Sequence, residues 1–232
     1  MRALGIIMAR GGSKRLPRKN TKLLNGVPLV AYVVRTALAS RLDRVIVTTD
    51  DDEIAAIARA AGADVPFMRP EHLAADYASD EDILTHALDF CRDEEGRDYD
   101  IIVKLHPTTP FSLPDHIDVC VDTIKTSDAN CCFTVREVSE PPQWMFVLDE
   151  KGQARTLLGN RMDGDAEHTQ LLKKPLFPTG AAYAIRVTAF RSQHQVFAEP
   201  LRVTVMDSLR AIDIDDEIDF LVAEQVGRRL NG

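Results

Sequence analysis

Leu4-Gly5-Ile6-Ile7-Met8-Ala9-Arg10-Gly11-Gly12-Ser13-Lys14-Arg15-Leu16-Pro17-Arg18-Lys19-Asn20 reads as a short apolar strand that runs directly into a loop with paired glycines and a crowd of basic side chains. Glycine tolerates backbone conformations that other residues avoid, so peptide N–H groups in such a loop can approach an anion closely. Arg10, Lys14, Arg15, Arg18 and Lys19 add positive charge to the same turn. Two readings stand: a phosphate-binding loop, or a solvated basic turn of the kind most charge runs form. The common phosphate fingerprints are missing, with neither G-x-x-x-x-G-K-[ST] nor G-x-G-x-x-G present, which argues against a P-loop NTPase and a dinucleotide-binding turn.

Outward from this loop, apolar runs alternate with helical spacings. Pro28 to Leu38 is long enough for a helix with Pro28 near its first turn. Val45 to Thr49 reads as a buried strand, and Asp50-Asp51-Asp52-Glu53 as an acidic helix start before Ile54, Ile57, Ala58 and Ala61. The unit repeats. Ser79 and Asp82 stand at capping spacing before Ile83, Leu84, Ala87, Leu88 and Cys91, and Ile101 to Leu105 follows as a strand. Strands separated by helices predict a three-layer α/β fold, a mostly parallel sheet with helices on both faces and ligands beyond the strands' C-terminal ends. The basic loop and His106-Pro107-Thr108-Thr109-Pro110 both fall at such ends.

The alternation breaks from Ser139 to Thr179, where Pro141-Pro142, an apolar run around Trp144-Met145-Phe146-Val147 and Lys173-Lys174-Pro175 read as an arm (139–179) inserted into a single domain of 1–232. It has too little periodicity for a core of its own. Burial of Trp144, Met145, Phe146 and Leu171-Leu172 against a second subunit is the economical expectation, and folding back onto its own sheet the alternative. Strand patterns resume at Ala181 to Ile185 and Leu201 to Val205, and a last helix carries Ile218, Leu221 and Val222.

Before that helix stands Ile212-Asp213-Ile214-Asp215-Asp216. In an extended segment Asp213 and Asp215 share a face, and two convergent carboxylates suit Mg²⁺, which takes oxygen ligands and completes its shell with water and phosphates. Asp215 or Asp216 could equally cap the last helix. The basic loop favours the metal reading, because a nucleotide site needs both phosphate donors and a bridging cation.

Composition sets the outer bounds. The 232 residues carry a formal charge of −8, so the basic loop is a local exception on an acidic body, which speaks against a nucleic-acid partner and for a small anionic ligand. No stretch is long and apolar enough for a membrane span, and the start of the chain lacks a signal-peptide pattern. Cys91, Cys120, Cys131 and Cys132 show no C-x-x-C spacing and read as buried reduced thiols. A cytoplasmic location is expected.

The run Ala9-Arg10-Gly11-Gly12-Ser13-Lys14 with Pro17 and Asn20 resembles the signature loop of the acylneuraminate (CMP-sialic acid) cytidylyltransferases. Ile212-Asp213-Ile214-Asp215 resembles their metal-binding segment, Pro107-Thr108-Thr109-Pro110 their Q-P-T-S-P motif, and Gly180-Ala181-Ala182-Tyr183 their N-G-A-x-Y strand. The likeness runs in order along nearly the whole chain. It implies a Rossmann-like nucleotidyltransferase fold with a dimerisation arm, a homodimer whose arms reach towards the partner's site, and transfer of CMP from CTP to a sugar acid with release of pyrophosphate. By the match, Ala9, Arg10, Gly11, Gly12, Ser13, Lys14 and Asn20 hold the nucleotide, Arg10 and Lys14 act on the triphosphate, Ser79 lies near the phosphates, and Asp213 and Asp215 hold Mg²⁺.

The departures concern the base and the acceptor. His106 stands where the family usually has a cytosine-contacting Gln, Ser112 where an Arg is usual, and Phe177-Pro178-Thr179-Gly180 where Arg-Pro-Asn-Gly is usual. A neutral imidazole can still donate one hydrogen bond and accept another, so His106 is a base reader or a core histidine. Lys104, two residues before it, is an added positive group for the acceptor, with Phe177, Thr179 and Tyr183 as further acceptor contacts. Loss of the usual Arg and Asn is expected to disfavour N-acetylneuraminate if Phe177 and Thr179 face the pocket. The acceptor is expected to be a nonulosonic acid of the sialic type. The alternatives are a 3-deoxy-octulosonate, a small phosphonate, or a nucleotide-binding protein without activity.

Overall fold

The computed structural model describes residues 1–75, 77–159 and 174–231. The chain begins with β1 (Ala3–Met8), a small hairpin of β2 (Leu23–Leu24) and β3 (Val27–Pro28), α1 (Leu29–Leu38), β4 (Arg44–Thr48), α2 (Asp52–Ala60) and the single turn α3 (Glu71–Ala74). It continues through α4 (Asp80–Asp93), β5 (Ile101–Leu105), α5 (Pro114–Thr126), β6 (Cys131–Glu137), β7 (Phe146–Leu148) and β8 (Ala154–Thr156). The final elements are β9 (Leu176–Arg186), α6 (Val187–Gln193), β10 (Leu201–Val205) and α7 (Glu217–Asn231).

Six strands form one sheet in the order β10-β6-β9-β5-β1-β4. β1 is parallel to both β4 and β5, β10 is parallel to β6, and β9 alone runs antiparallel to its two neighbours. The start of β9 therefore lies at the same edge as the C-terminal ends of β5 and β6. Successive strand residues point to opposite faces. Ile7, Val103 and Leu105 meet α1, α2 and α5 through Val33, Ala55 and Ile117, while Leu4, Ile6 and Ile102 meet α4 and α6 through Leu84, Leu88 and Phe190. This is the expected three-layer arrangement, with the antiparallel β9 as its one added detail.

α5 and β6 fill a stretch that offers weaker signals, since Ile117, Cys120, Val121 and Ile124 are interrupted by charged residues and β6 opens on two cysteines. All four cysteines are free and buried, as expected. In α7 the packed side differs from the expected one. Phe220 and Ala223 pack on Leu16, Leu24, Leu29 and Ile214, whereas Ile218, Leu221 and Val222 face outward. The segment 139–159 carries the two-stranded β7–β8 ribbon, with Trp144, Met145, Phe146 and Leu148 all exposed, Leu148 to 71%. Leu171-Leu172 lie outside the described residues. β9 already begins at Leu176, opposite Glu137 of β6, so the last residues of 139–179 belong to the central sheet.

Candidate active site

The basic loop leaves β1 and is tied down by acidic residues after β4. The Gly11 N–H donates to Asp50 Oδ1 at 2.9 Å, and a Cβ on Gly11 would lie 2.8 Å from Asp51 Oδ2. Gly11 is thus required by a close approach. Neither Gly11 nor Gly12 takes a left-handed backbone; in this loop Arg18 does, at φ 56°, and its guanidinium is ion-paired with Glu53. Asn20 is buried, donating from Nδ2 to the Arg10 carbonyl at 2.9 Å, while its Oδ1 has no partner among the described residues.

The C-terminal acidic segment is brought to this loop by packing. Ile214 is buried with Leu16 and Phe220, and its N–H donates to the Thr108 carbonyl at 2.8 Å. Lys19 Nζ donates to the Ile214 carbonyl at 2.8 Å and pairs with Asp215 Oδ1 at 3.2 Å; Arg15 reaches Asp215 Oδ2 at 3.0 Å. The cap of α7 is Asp216, whose Oδ1 accepts from the Asp219 N–H at 3.0 Å, while Asp219 Oδ2 accepts from the N–H groups of Asp215 and Asp216. Capping therefore uses neither the Asp213 nor the Asp215 carboxylate. Burial raises the Asp213 carboxyl above the usual range; a hydrogen bond with Thr108 opposes this, and the nearby Asp215 charge adds to it.

On the α4 face of the sheet lies a second charged group. Lys104 follows Ile102 on that face and is only 5% exposed; its ammonium is ion-paired with Asp80 Oδ2 and sits 4.4 Å from the centre of the Tyr183 ring. Burial pushes the Asp80 carboxyl up, but the Lys104 charge and hydrogen bond outweigh it and leave the group below its ordinary value. His106 is held through its backbone N–H, which donates to the Gly180 carbonyl at 3.1 Å. Burial, and then the Lys104 charge, push its imidazole down to about 4, so it is neutral near pH 7. Arg69 is buried after α2, donating from Nη2 to the Thr48 carbonyl at 2.6 Å and from Nε to Thr48 Oγ1 at 3.1 Å.

These groups line one cavity of about 450 Å³. Arg10, Ser13, Lys14, Arg15, Lys19 and Asn20 come from the loop; Arg69, Asp80 and His106 from the sheet side; and Asp213 and Asp215 from the C-terminal segment. Arg69 and Asp80 carry no expectation from the sequence. Arg69-Pro70 stands in an extended connection without periodicity, and Asp80 is hidden in the acidic first turn of α4. Ser79 itself does not line this cavity, although Ala78 and Asp80 on either side of it do; its hydroxyl caps α4, accepting from the Asp82 N–H at 3.0 Å.

A neighbouring cavity of about 770 Å³ opens between the end of β6 and the Ser208 to Asp213 loop, lined by Arg136, Ser139, Lys174 and Ser208 among others. Asp213 lines both cavities. The four residues expected at the acceptor line neither cavity. Thr179 is 2% exposed and its hydroxyl lies 2.7 Å from Thr134 Oγ1, because β9 turns that side chain inward. Tyr183 is stacked on Phe133 at 5.7 Å beneath Lys104, and Lys104 spends its charge on Asp80. Phe177 is exposed, 5.4 Å from the Arg136 guanidinium, and lines neither cavity. Phe177 and Thr179 therefore face neither cavity, and the expected bias against N-acetylneuraminate loses its condition.

The donor set fits Mg²⁺. Among the described residues no group of three or more His, Cys, Asp or Glu side chains converges as a metal site; Asp213 and Asp215, two oxygen donors lining one cavity, are the residues that could hold a hard cation together with phosphate and water, and Asp215 is already paired with Lys19 and Arg15. The raised Asp213 carboxyl, with Asp215 beside it, is a place where a cation relieves like-charge repulsion.

Known proteins share this architecture. The cytidylyltransferase family model matches residues 4–211. The chain is 32% identical over 231 residues, 97% of its length and 96% of the relative's, to a CMP-N,N'-diacetyllegionaminic acid synthase of Legionella pneumophila. It is 31% identical to a pseudaminic acid cytidylyltransferase of Campylobacter jejuni, covering 97% of this chain and 95% of the other. An N-acylneuraminate cytidylyltransferase of Escherichia coli is also 31% identical over 98% of this chain, which spans 52% of that longer protein. Among solved structures, a CMP:2-keto-3-deoxy-manno-octonic acid synthetase complexed with CTP superposes with a TM-score of 0.69 at 19% identity, covering 99% of this chain and 100% of the other, a likeness of fold. A family match over most of the chain, and relatives above 30% identity along nearly its full length, agree with the resemblance carried by its motifs: this chain belongs to the cytidylyltransferase family.

Proposed function

We propose that the protein transfers CMP from CTP to a nonulosonic acid, releasing pyrophosphate, with Mg²⁺ as cofactor. The observation that carries this reading is that a single cavity gathers Arg10, Lys14 and Lys19 on one side and Asp213 and Asp215 on the other. Attack of an acceptor oxygen on the α-phosphorus breaks the bond to the β-phosphate oxygen and builds negative charge on the leaving pyrophosphate. Arg10 and Lys14 neutralise that charge, and fixed cations in a partly dry site do so far better than in water. Mg²⁺ held by Asp213 and Asp215 would supply further positive charge to the phosphates. Asn20, with its unpartnered Oδ1, offers an acceptor to a nucleotide hydroxyl.

The acceptor enters from the adjoining cavity, where Arg136 matches an acid and Ser208 a hydroxyl, while Lys174 is paired with Glu137 at 2.8 Å; Asp213 stands where the two cavities meet. The curated relatives act on legionaminic, pseudaminic and N-acylneuraminic acids, which supports a nonulosonic acid. An octulosonate has only the likeness of fold in its favour. The exposed apolar residues of the β7–β8 ribbon support a homodimer. No helix among the described residues is long and apolar enough to cross a membrane, and free buried thiols fit a reducing cytoplasm. Pyrophosphate release with CTP, Mg²⁺ and a panel of nonulosonic, octulosonic and phosphonic acids tests the reading. Release with a nonulosonic acid is expected, and none with any acid would refute it.

A further inference from the structure

The nucleotide cavity contains a carboxylate that the transfer of CMP does not require. Asp80 lines it beside Arg69, His106 and a mainly apolar stretch of Leu73, Ala75, Ala78 and Ile83. A negative side chain in a cavity that must receive a triphosphate is a liability unless the ligand presents a hydrogen-bond donor to it. This one is also fixed. The buried Lys104 ammonium engages Asp80 Oδ2, and no other described residue donates a hydrogen bond to Oδ1.

Only the lysine of this pair is closed off: the Asp80 side chain is 39% exposed, so its carboxylate is held in place by Lys104 and still open to a ligand in the cavity. The same cavity holds a second acceptor without a partner, Asn20 Oδ1 on a buried side chain, so it is built for a ligand that brings donors. An ionised carboxylate can only accept. The apolar stretch suits the flat faces of a base, whose edge then meets the polar groups.

Resting on the reading of this cavity as a nucleoside triphosphate site, we propose that Asp80, clamped by Lys104, reads the exocyclic amino group of cytosine and thereby selects CTP over UTP. Cytosine presents an N–H donor at this edge and uracil a carbonyl oxygen, so uracil sets an acceptor against a fixed carboxylate. The ribose hydroxyls are the other donors on the ligand, and the test separates them.

Calorimetric binding of CTP, UTP and 2'-deoxy-CTP to the full-length protein, with pyrophosphate release measured alongside, decides it. The wild-type protein is expected to bind CTP at least tenfold tighter than UTP, and Asp80→Asn, whose amide can donate to a carbonyl, to lower that preference by about tenfold or more. The ratio of CTP to 2'-deoxy-CTP should not move. Where Asp80→Asn fails to fold because Lys104 is left unpaired, the double variant Asp80→Ser/Lys104→Met removes both charges and carries the same expectation. Equal binding of CTP and UTP by the wild type, or an unchanged preference in the variant, would overturn the proposal; a change confined to 2'-deoxy-CTP would assign Asp80 to the ribose and overturn it too. Binding is read without turnover, so an absence of pyrophosphate release would refute the proposed reaction and leave the base preference measurable.

Discussion

The nucleotide cavity and the β7–β8 arm are built in opposite ways. Many charged groups of the cavity are fixed by a neighbour: Lys19 by the Ile214 carbonyl, Arg69 by Thr48, and Asp80 by Lys104. The arm presents Trp144 and Met145, just before β7, and Phe146 and Leu148, on β7, to solvent. Preorganised charge costs nothing to rearrange when the reaction begins, whereas exposed apolar surface is stabilised only when something covers it. Among the described residues the charges named here are held by neighbours in the same chain, whereas the arm's apolar side chains face solvent.

The sharpest way to break this contrast is to remove the charge that the cavity aims at the phosphates. Asp213→Ala or Asp215→Ala is expected to lower Mg²⁺-dependent turnover by on the order of 10²-fold or more, with folding retained by circular dichroism. α7 keeps its cap, because Asp216 and Asp219 supply it. Normal turnover of either variant at low Mg²⁺ would remove the metal from the site.

Lys14 tests whether the loop acts on the transition state or merely anchors the ligand. Lys14→Ala should lower kcat as well as weaken CTP binding, since an interaction that strengthens as charge builds on pyrophosphate appears in kcat. A loss of about tenfold or more in kcat is expected, smaller than for Asp213 because Arg10 lines the same cavity. An effect confined to KM would make Lys14 an anchor.

The arm should respond in the reverse sense. Trp144→Ser combined with Phe146→Ser is expected to shift a dimer to a monomer at micromolar concentration, read by sedimentation, while CTP binding changes less than about threefold because the cavity draws on neither residue. A wild-type monomer with full activity would show that the arm folds back on its own chain.

How much of this was legible in the sequence follows from the same physics. The strands and helices around β1, β4 and β5 show clear apolar periodicity, and the basic loop and Asp213-x-Asp215 stand out because charge is concentrated there. Position along a face is also legible, since Lys104 and His106 share one. What a side chain pairs with is not. The Lys104–Asp80 pair joins residues 24 apart on different elements, and the inward turn of Thr179 depends on an irregularity in the β6–β9 register near Phe133 and Val135. Of the paired glycines, Gly11 is explained by a close approach to Asp51 and neither takes a left-handed backbone, whereas nothing lies within 4 Å of a Cβ on Gly12.

The smallest expected effect concerns His106, whose imidazole the cavity wall holds down to about 4, against an ordinary 6.5. Between those values the unfolded chain binds a proton at this residue that the folded chain does not, so stability rises with pH from about 4 to about 6.5 on its account. Above pH 6.5 the contribution is flat, because both states are then neutral at this position. His106→Gln removes the titrating group, and the difference in urea midpoint between variant and wild type should shift in the variant's favour as pH falls from 7 to 5. A gap independent of pH would mean that His106 is protonated in the folded state as readily as in the unfolded one. Burial would then not fix the state of this imidazole, and the order of the cavity's sheet side would rest on the Lys104–Asp80 pair and Arg69.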